Sequence, residues 1–407
     1  MLRWLAAHVA GVAGFAQSAR TAHLSWKDFT DLAGRPSPVG VLPGDPLARL
    51  GVSAAELSEG TGPVRFIRTS RYLNGAAAVV THTVDDSTAH VPACLDAMDT
   101  YGIKSTVFVS TGAPAMEALW PRLRRAIADG HEVGAHSRTH PCRLPDTFWF
   151  CFRALTRHEI DGSRADILAH TDQPHVWTWA YPCGNCAGRG FVRRKVARAG
   201  YLAARAYPGE LQLRHIVPNL QTYDANPYAA RYTQVVQKGS ALVVRGKGVR
   251  AIPGRTRVPT LNAKFDEVHA AGGIYSFLSH PHLLDYGPDG FYEQHLAHIG
   301  GRADVWYVPM GPLYSYRMLV GATSVRPLAS RDARARFAVF NRLDPKIYNG
   351  SVTLEFQASA PVRVVAHGRE VAERAAGPVT RWNAEYLRRV GERVLLTTRP
   401  NTVVEFR

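Results

Sequence analysis

No stretch of this 407-residue chain holds about 18 uninterrupted apolar residues, so no membrane-spanning helix is expected in the mature chain. Cysteine is scarce. The five residues Cys94, Cys142, Cys151, Cys183 and Cys186 are an odd number, which excludes a fully paired framework within one chain. Cys183 and Cys186 form a lone Cys-x-x-Cys. A zinc ribbon would need a second pair. A thioredoxin-like site would open a helix behind an N-terminal strand, whereas this motif follows Pro182 deep in the chain. A bridge among Cys142, Cys151, Cys183 and Cys186 suits an exported protein. Long runs of one charge are also missing. The net charge is +16 and the pI about 9.9, yet basic residues are scattered, with short clusters only at 122–125 and 193–195. Such a charge favours encounters with anionic partners. With no nucleic-acid-binding signature in the chain, nucleic acid is not an expected partner. Internal repeats and low-complexity tracts are absent too.

What the chain does have is ordinary globular composition, 46% apolar and 20% charged, with length enough for two or three domains. Residues 1–19 carry a short positive start, a mostly apolar stretch and Ala16-Gln17-Ser18-Ala19. That pattern reads as a signal peptide, hence a secreted or periplasmic, cell-envelope protein. Residues 20–75 form a turn-rich extension. From residue 76 short apolar runs alternate with helix-like stretches. Strands are predicted at Ala76–Val84, Lys104–Thr111, His131–His136, Val176–Tyr181, 201–207, Ile274–Ser279 and Asp304–Val308. Helices are predicted at 88–101, 114–129, 147–170, 189–199, 261–272 and 290–299, with an excursion over 208–258. Alternation of this kind means parallel pairing. Seven or eight units over 76–320 predict a distorted (β/α) barrel. Beyond residue 320 the strands become short and β-branched (Arg336–Asn341, Val352–Ala358, Val362–Ala366, Val394–Thr398, Val403–Phe406), which predicts a C-terminal β-sandwich over 321–407.

Polar residues cluster at the C-terminal ends of these strands: Thr83-Val84-Asp85-Asp86, His136-Ser137-Arg138-Thr139-His140, Tyr181-Pro182-Cys183-Gly184 and Leu278-Ser279-His280. Barrel active sites are built on that face. Singly, each motif is weak. Seventeen histidines give roughly 0.7 His-x-x-x-His pairs by chance, and Asp85-Asp86-Ser87 could simply cap the next helix. His295 and His298, three apart on a predicted helix, read as a solvated face, and His282 reads the same way. Jointly the motifs say more. Two imidazoles and a carboxylate leave open positions on a divalent cation. Such a cation lowers the pKa of a water from about 15.7 toward ~7, within reach of a neighbouring carboxylate, and a separate histidine can protonate a leaving amine.

The order and wording of these motifs resemble the polysaccharide deacetylases, carbohydrate esterase family 4, with its NodB-like homology domain. Thr83–Asp86 resembles the family's first motif and His136–His140 its second. Lys104–Val109, Gly130–Gly134 and Asp304–Tyr307 resemble flanking strands, and the resemblance covers about residues 75–318. It implies a divalent ion, zinc above all, held by Asp86, His136 and His140. It also implies Asp85 as general base, His280 as general acid and the backbone N–H of Cys183 as an oxyanion donor, with Tyr181 beside the substrate. The implied activity is hydrolysis of N-acetyl groups on a polysaccharide.

Two departures stand out. The family's third motif begins with an Arg that contacts the base. Ala180 takes that place here, so another cation is needed or activity falls. The Asp that orients the acid histidine is not evident, and Asp224 is the candidate. Two other readings are a non-catalytic glycan binder that kept the metal, and a same-scaffold hydrolase of a small amide or O-acetyl ester.

Overall fold

The computed structural model describes residues 40–60, 62–142, 157–184, 186, 190–205, 234–237, 240–245, 248–253, 258–330 and 332–407. The expected signal peptide, Cys151 and Asp224 lie outside these residues.

The first strand, β1 (Val64–Thr69), stands apart from those that follow. Then come β2 (Ala78–Asp85), helix α1 (Val91–Thr100), β3 (Ser105–Val109), α2 (Met116–Ala128), β4 (Glu132–Ala135), α3 (Gly162–His170) and β5 (Thr178–Ala180). Next are α4 (Gly190–Arg198), β6 (Ala203–Arg205), β7 (Gln234–Gln237), β8 (Ser240–Arg245), β9 (Gly248–Pro253), α5 (Val258–Ala270), β10 (Ile274–Ser279), α6 (Phe291–Ile299) and β11 (Val305–Tyr307). These ten strands form one sheet in the order β6-β5-β4-β3-β2-β10-β7-β8-β9, with β11 also on β2. Pairing is parallel from β6 to β7, and β7, β8 and β9 continue antiparallel. β2 is the hub. One of its edges pairs along its length with β10. Its other edge pairs with β11 at Ala78–Val80 and with β3 at His82–Asp85.

All eight residues of β2 are buried, as expected of a parallel strand covered on both faces. The helices that cover the sheet share one apolar core with it, from Val80 and Leu95 to Leu123, Phe265 and Leu296. Helices alternating with a curled parallel sheet are the predicted distorted (β/α) barrel, left open between β6 and β9 among the described residues.

The antiparallel strands make two further sheets. One runs β1-β14-β18-β17, with β14 (Val352–Ala358), β17 (Tyr386–Val390) and β18 (Arg393–Thr398). The other runs β12-β13-β19-β15-β16, with β12 (Ser324–Leu328), β13 (Ala335–Phe340), β15 (Val364–Ala366), β16 (Arg369–Glu370) and β19 (Thr402–Phe406). Phe356 packs between Phe337 and Phe406, with ring centroids 5.1 and 4.7 Å away, and closes the sandwich core. β1 was not foreseen as a strand. It comes from the turn-rich N-terminal segment yet forms the edge of this C-terminal sheet.

Helix α7 (Met310–Ala322), also unforeseen, lies against β2, β3, β4 and β6 on one side and β14 on the other. It is buried almost all round from Met310 to Leu319, so it lacks the one-sided apolar periodicity that marks a surface helix. Its first N–H groups have no partner within the helix. Met310 N donates to Thr106 Oγ1 (2.8 Å) and Gly311 N to Glu132 Oε2 (2.7 Å). The carboxylate of a buried sheet residue thus faces the positive end of the helix. The same apolar core joins α7 to Val79, Trp177, Leu202 and Trp306, which lie at the N-terminal ends of the parallel strands, and to the sandwich. The sandwich therefore docks under the barrel, on the rim opposite the strand ends that carry the candidate site residues.

Candidate active site

Because the strands are parallel, their C-terminal ends share one rim. Asp85 is the last residue of β2, Asp86 follows it, His136 follows β4, Cys183 lies just beyond β5, Arg205 ends β6 and His280 follows β10. Four of these positions or their neighbours hold left-handed backbone without being glycine: Asp86 (φ 74°), Ser137 (φ 71°), His140 (φ 55°) and Cys183 (φ 52°). Such conformations cost of order 1–3 kcal/mol each and persist where the surroundings impose them, often at functional sites.

Asp86, His136 and His140 come together. His140 Nε2 lies 3.4 Å from Asp86 Oδ1, His136 Nε2 lies 3.9 Å from the same oxygen, and the two Nε2 atoms are 3.1 Å apart. The expected ligand set is thus three donor atoms within 4.8 Å of one another. Its chemistry fits a cation. The backbone carbonyl of Ala180 is 2.9 Å from His136 Nδ1 and can only accept, so Nδ1 carries the proton and Nε2 points its lone pair into the cluster. Two imidazole lone pairs and a carboxylate aimed at one point repel one another unless a positive charge lies between them.

The loop carrying the two histidines is strapped from below. Buried Glu159 accepts from Arg138 N (2.8 Å), Thr139 N (3.0 Å) and Thr139 Oγ1 (2.8 Å). Asp166 takes Arg138 in a bidentate pair at 2.6 and 2.7 Å and also accepts from Thr111 Oγ1. Ser137 Oγ accepts from His140 N (2.9 Å). Neither Glu159 nor Asp166 was picked out from the sequence, because their role is to hold a loop, not to match a motif.

Asp85, the expected base, is buried and both its oxygens accept from Arg205 Nη2. Arg205 is 1% exposed, so this is a buried ion pair, and its guanidinium also lies over the Phe108 ring, 5.3 Å from the centroid. Here is the missing cation. The Arg absent at Ala180 on β5 is supplied from the next strand, where Ala180 and Arg205 are register partners. One signal was present: Arg205 is a lone charge at the end of the apolar run Tyr201–Ala204, and a buried arginine needs an acid. The pair also measures the curl of the sheet. β6 and β2 are four strands apart, roughly 19 Å in a flat sheet at about 4.8 Å per strand, beyond the reach of an arginine side chain. Burial alone would raise the Asp85 carboxyl, but Arg205, then His136 and His280, outweigh it and hold the group below its usual range.

His280 is half-buried at the start of the short turn Pro281–Leu283. Burial lowers its pKa, and Asp85 and Asp86 pull it back up without fully compensating. Both aspartates thus act on this imidazole. Tyr181 corrects an expectation. It is fully buried and packs edge-on against Trp179 at 6.3 Å, so its ring faces the core and not a polymer. His295 is another correction. It is fully buried between Tyr275 Oη (3.0 Å) and Asn262 Oδ1 (2.8 Å), because α6 packs against both α1 and α5. His298 does face solvent, paired with Asp266 at 2.9 Å, and His282 is exposed.

Cys142 and Cys183 form a disulfide with Cα atoms 5.7 Å apart, tying the loop after His140 to the turn after β5. Cys186 is also disulfide-bonded, and Cys94 is a buried free thiol.

Residues 73–204 match the family model for polysaccharide deacetylase. By that match the segment is similar to a polysaccharide deacetylase domain. It contains Asp85, Asp86, His136, His140 and Cys183, while Arg205 and His280 lie beyond it. None of the curated proteins matches the chain in sequence. Among solved structures, similarity is found to a polysaccharide deacetylase of Bacillus cereus (14% identity over 55% of this chain and 86% of that one, TM-score 0.34). It is also found to the catalytic domain of a peptidoglycan N-acetylglucosamine deacetylase of Eubacterium rectale (14%, 57% and 86%, TM-score 0.32). A third is a CE4 family pseudoenzyme of Bacillus anthracis (14%, 54% and 58%, TM-score 0.31). Among the described residues no helix is long and apolar enough to cross a membrane.

Proposed function

We propose that the chain is a metal-dependent hydrolase that removes N-acetyl groups from a polysaccharide, in an oxidising compartment outside the cytoplasm. The observation that carries the reading is the meeting of Asp86, His136 and His140 around one point, with Asp85 on the adjacent residue. These three residues would hold a divalent ion, zinc by the chemistry of the set. When bound, such an ion supplies Lewis acidity to the amide carbonyl and lowers the pKa of a neighbouring water.

The chain's own residues do the rest. Asp85 stays ionised because Arg205 holds it so, and it takes the proton of the attacking water. Arg205 fixes both carboxylate oxygens and so sets the direction of that transfer. The Cys183 N–H, on a turn held by the Cys142 bridge, donates to the oxygen that gains charge. His280, under the field of two aspartates, protonates the departing amine. The sandwich, docked on the far rim, supports the barrel from below. The disulfide at this rim suits an oxidising compartment.

The test is acetate release from chitin oligomers by the Zn2+-loaded protein, with acetylated xylan and small cyclic amides in parallel. Asp85→Asn is expected to lower the rate by about 10²–10⁴, and chelation to abolish it. Equal release from wild type and variant ends the reading. Release from xylan or cyclic amides alone redirects the substrate class.

A further inference from the structure

The imidazole of His140 has two faces. Its Nε2 points at Asp86 and His136, while Cys142 Sγ lies 3.4 Å from its Nδ1. Cys183 Sγ is joined to that sulfur, and the His140 nitrogen and both sulfurs lie within 4.8 Å of one another. In the disulfide the sulfurs carry no charge and can only accept a hydrogen bond. The His140 proton therefore belongs on Nδ1, and Nε2 stays free for the cation side.

We infer that reduction of this bridge creates a second cation site, made of the Cys142 and Cys183 thiolates and His140, which takes thiophilic ions and competes for the same imidazole. It rests on the reading above that Asp86, His136 and His140 hold an ion. The step balances with a dithiol as reductant. The S–S bond breaks, the dithiol gives up two electrons and two protons and becomes a disulfide, and Cys142 and Cys183 become thiols. Cation binding then releases the two thiol protons. Cys183 is exposed at the rim, so a dithiol can reach the bond. The resulting set, two sulfurs and one nitrogen, suits soft and borderline ions, whereas the set with a carboxylate accepts harder ones.

The two sites differ in consequence. An ion on the sulfur side draws His140 out of the set that faces Asp85, leaving Asp86 and His136 as a two-residue remnant. Reduction also frees the turn that carries the Cys183 N–H. One redox event thus weakens both the cation position and the oxyanion donor, and the hydrolase is restricted to compartments that keep the bond closed.

Co2+ distinguishes the sites, because thiolate ligands add a charge-transfer absorption in the near ultraviolet that imidazole and carboxylate do not. The full chain is titrated with Co2+ in the oxidised form and after dithiol reduction and anaerobic removal of the dithiol. The oxidised protein is expected to bind one ion without that band, and the reduced protein to gain it. The variant C142S/C183S, which keeps Cys186, should lack the band under reduction. In the reduced wild type, Cd2+ should shield Cys142 and Cys183, but not Cys186, from alkylation mapped by mass spectrometry. That measurement stands even if the double variant does not fold. A reduced protein that binds Co2+ without the band, a band that persists in C142S/C183S, or alkylation of Cys142 and Cys183 unchanged by Cd2+ overturns the inference. Failure of the oxidised protein to bind any Co2+ instead overturns the Asp86 site.

Discussion

The parallel sheet and the sandwich beneath it bury different things. The α/β unit hides His82, Asp85, His131, Glu132, His136, Glu159, His175, Arg205 and His295. The sandwich hides mostly Ser, Thr and Asn beside its aromatics, with Glu355 the charged exception, held by Ser70 and Arg68. A buried charge is costly unless paired and hydrogen-bonded. The upper unit carries part of that cost, at Asp85, His136, Glu159 and Arg205, at the rim of the candidate site, and the lower unit is the apolar platform that fixes the rim's frame.

The largest break in this contrast is expected from Arg205. Arg205→Met leaves Asp85 buried without its partner and should cost about 3–5 kcal/mol of stability, together with most of the acetate-releasing activity. The double variant Asp85→Asn/Arg205→Met should recover stability without recovering activity, as read by denaturant unfolding and acetate assay together. A double variant as unstable as Arg205→Met would mean that the pair is not the source of the loss.

Next is Phe356→Ala in the sandwich. Loss of a ring packed among Phe66, Phe337 and Phe406 should cost about 3–5 kcal/mol as well. Activity per folded molecule should be unchanged, since the platform touches no reacting group. An equal fall in specific activity would merge the two units into one functional body.

The smallest effect is a difference in acid sensitivity. Burial holds His175 down to about 4 and His295 to about 3. Their unfolded forms bind a proton near pH ~6.5, so the unfolded state takes up more protons as the pH falls and the α/β unit loses stability from about pH 6.5 downward. Glu385 in the sandwich goes the other way in cause. Burial would raise it, but Arg369 and Arg399 hold it at about 2, so its contribution is complete above about 4.5 and is lost as the pH falls from there toward 2. Hydrogen exchange along a pH series should show the upper unit opening first. Simultaneous opening would show that the two cores unfold as one.

Much of this arrangement is legible in the chain, and what is not has a physical reason. Ile274–Ser279 and Val352–Ala358 are predicted with the observed ends, because each is a β-branched or aromatic run between turn residues. Asp85, Asp86, His136, His140 and His280 are visible because strand ends carry them. β1 is hidden by two exposed arginines and a register shift between Phe66 and Arg68. α7 is hidden by burial on every side. Arg205 could not be assigned a partner because the contact spans four strand spacings, and only the curl of the sheet creates it. His295 was misread because a three-residue spacing reports a helix face but not what covers it.

β1 and β14 are neighbours in space but about 290 residues apart in the chain. The entire α/β unit is thus threaded between the first strand of the platform and the remainder of it. During synthesis β1 emerges early and waits as an unpaired edge, open to self-association, until β14 arrives after the whole barrel. Substitutions near Phe66 should therefore lower the yield of soluble protein more than the stability of what has already folded.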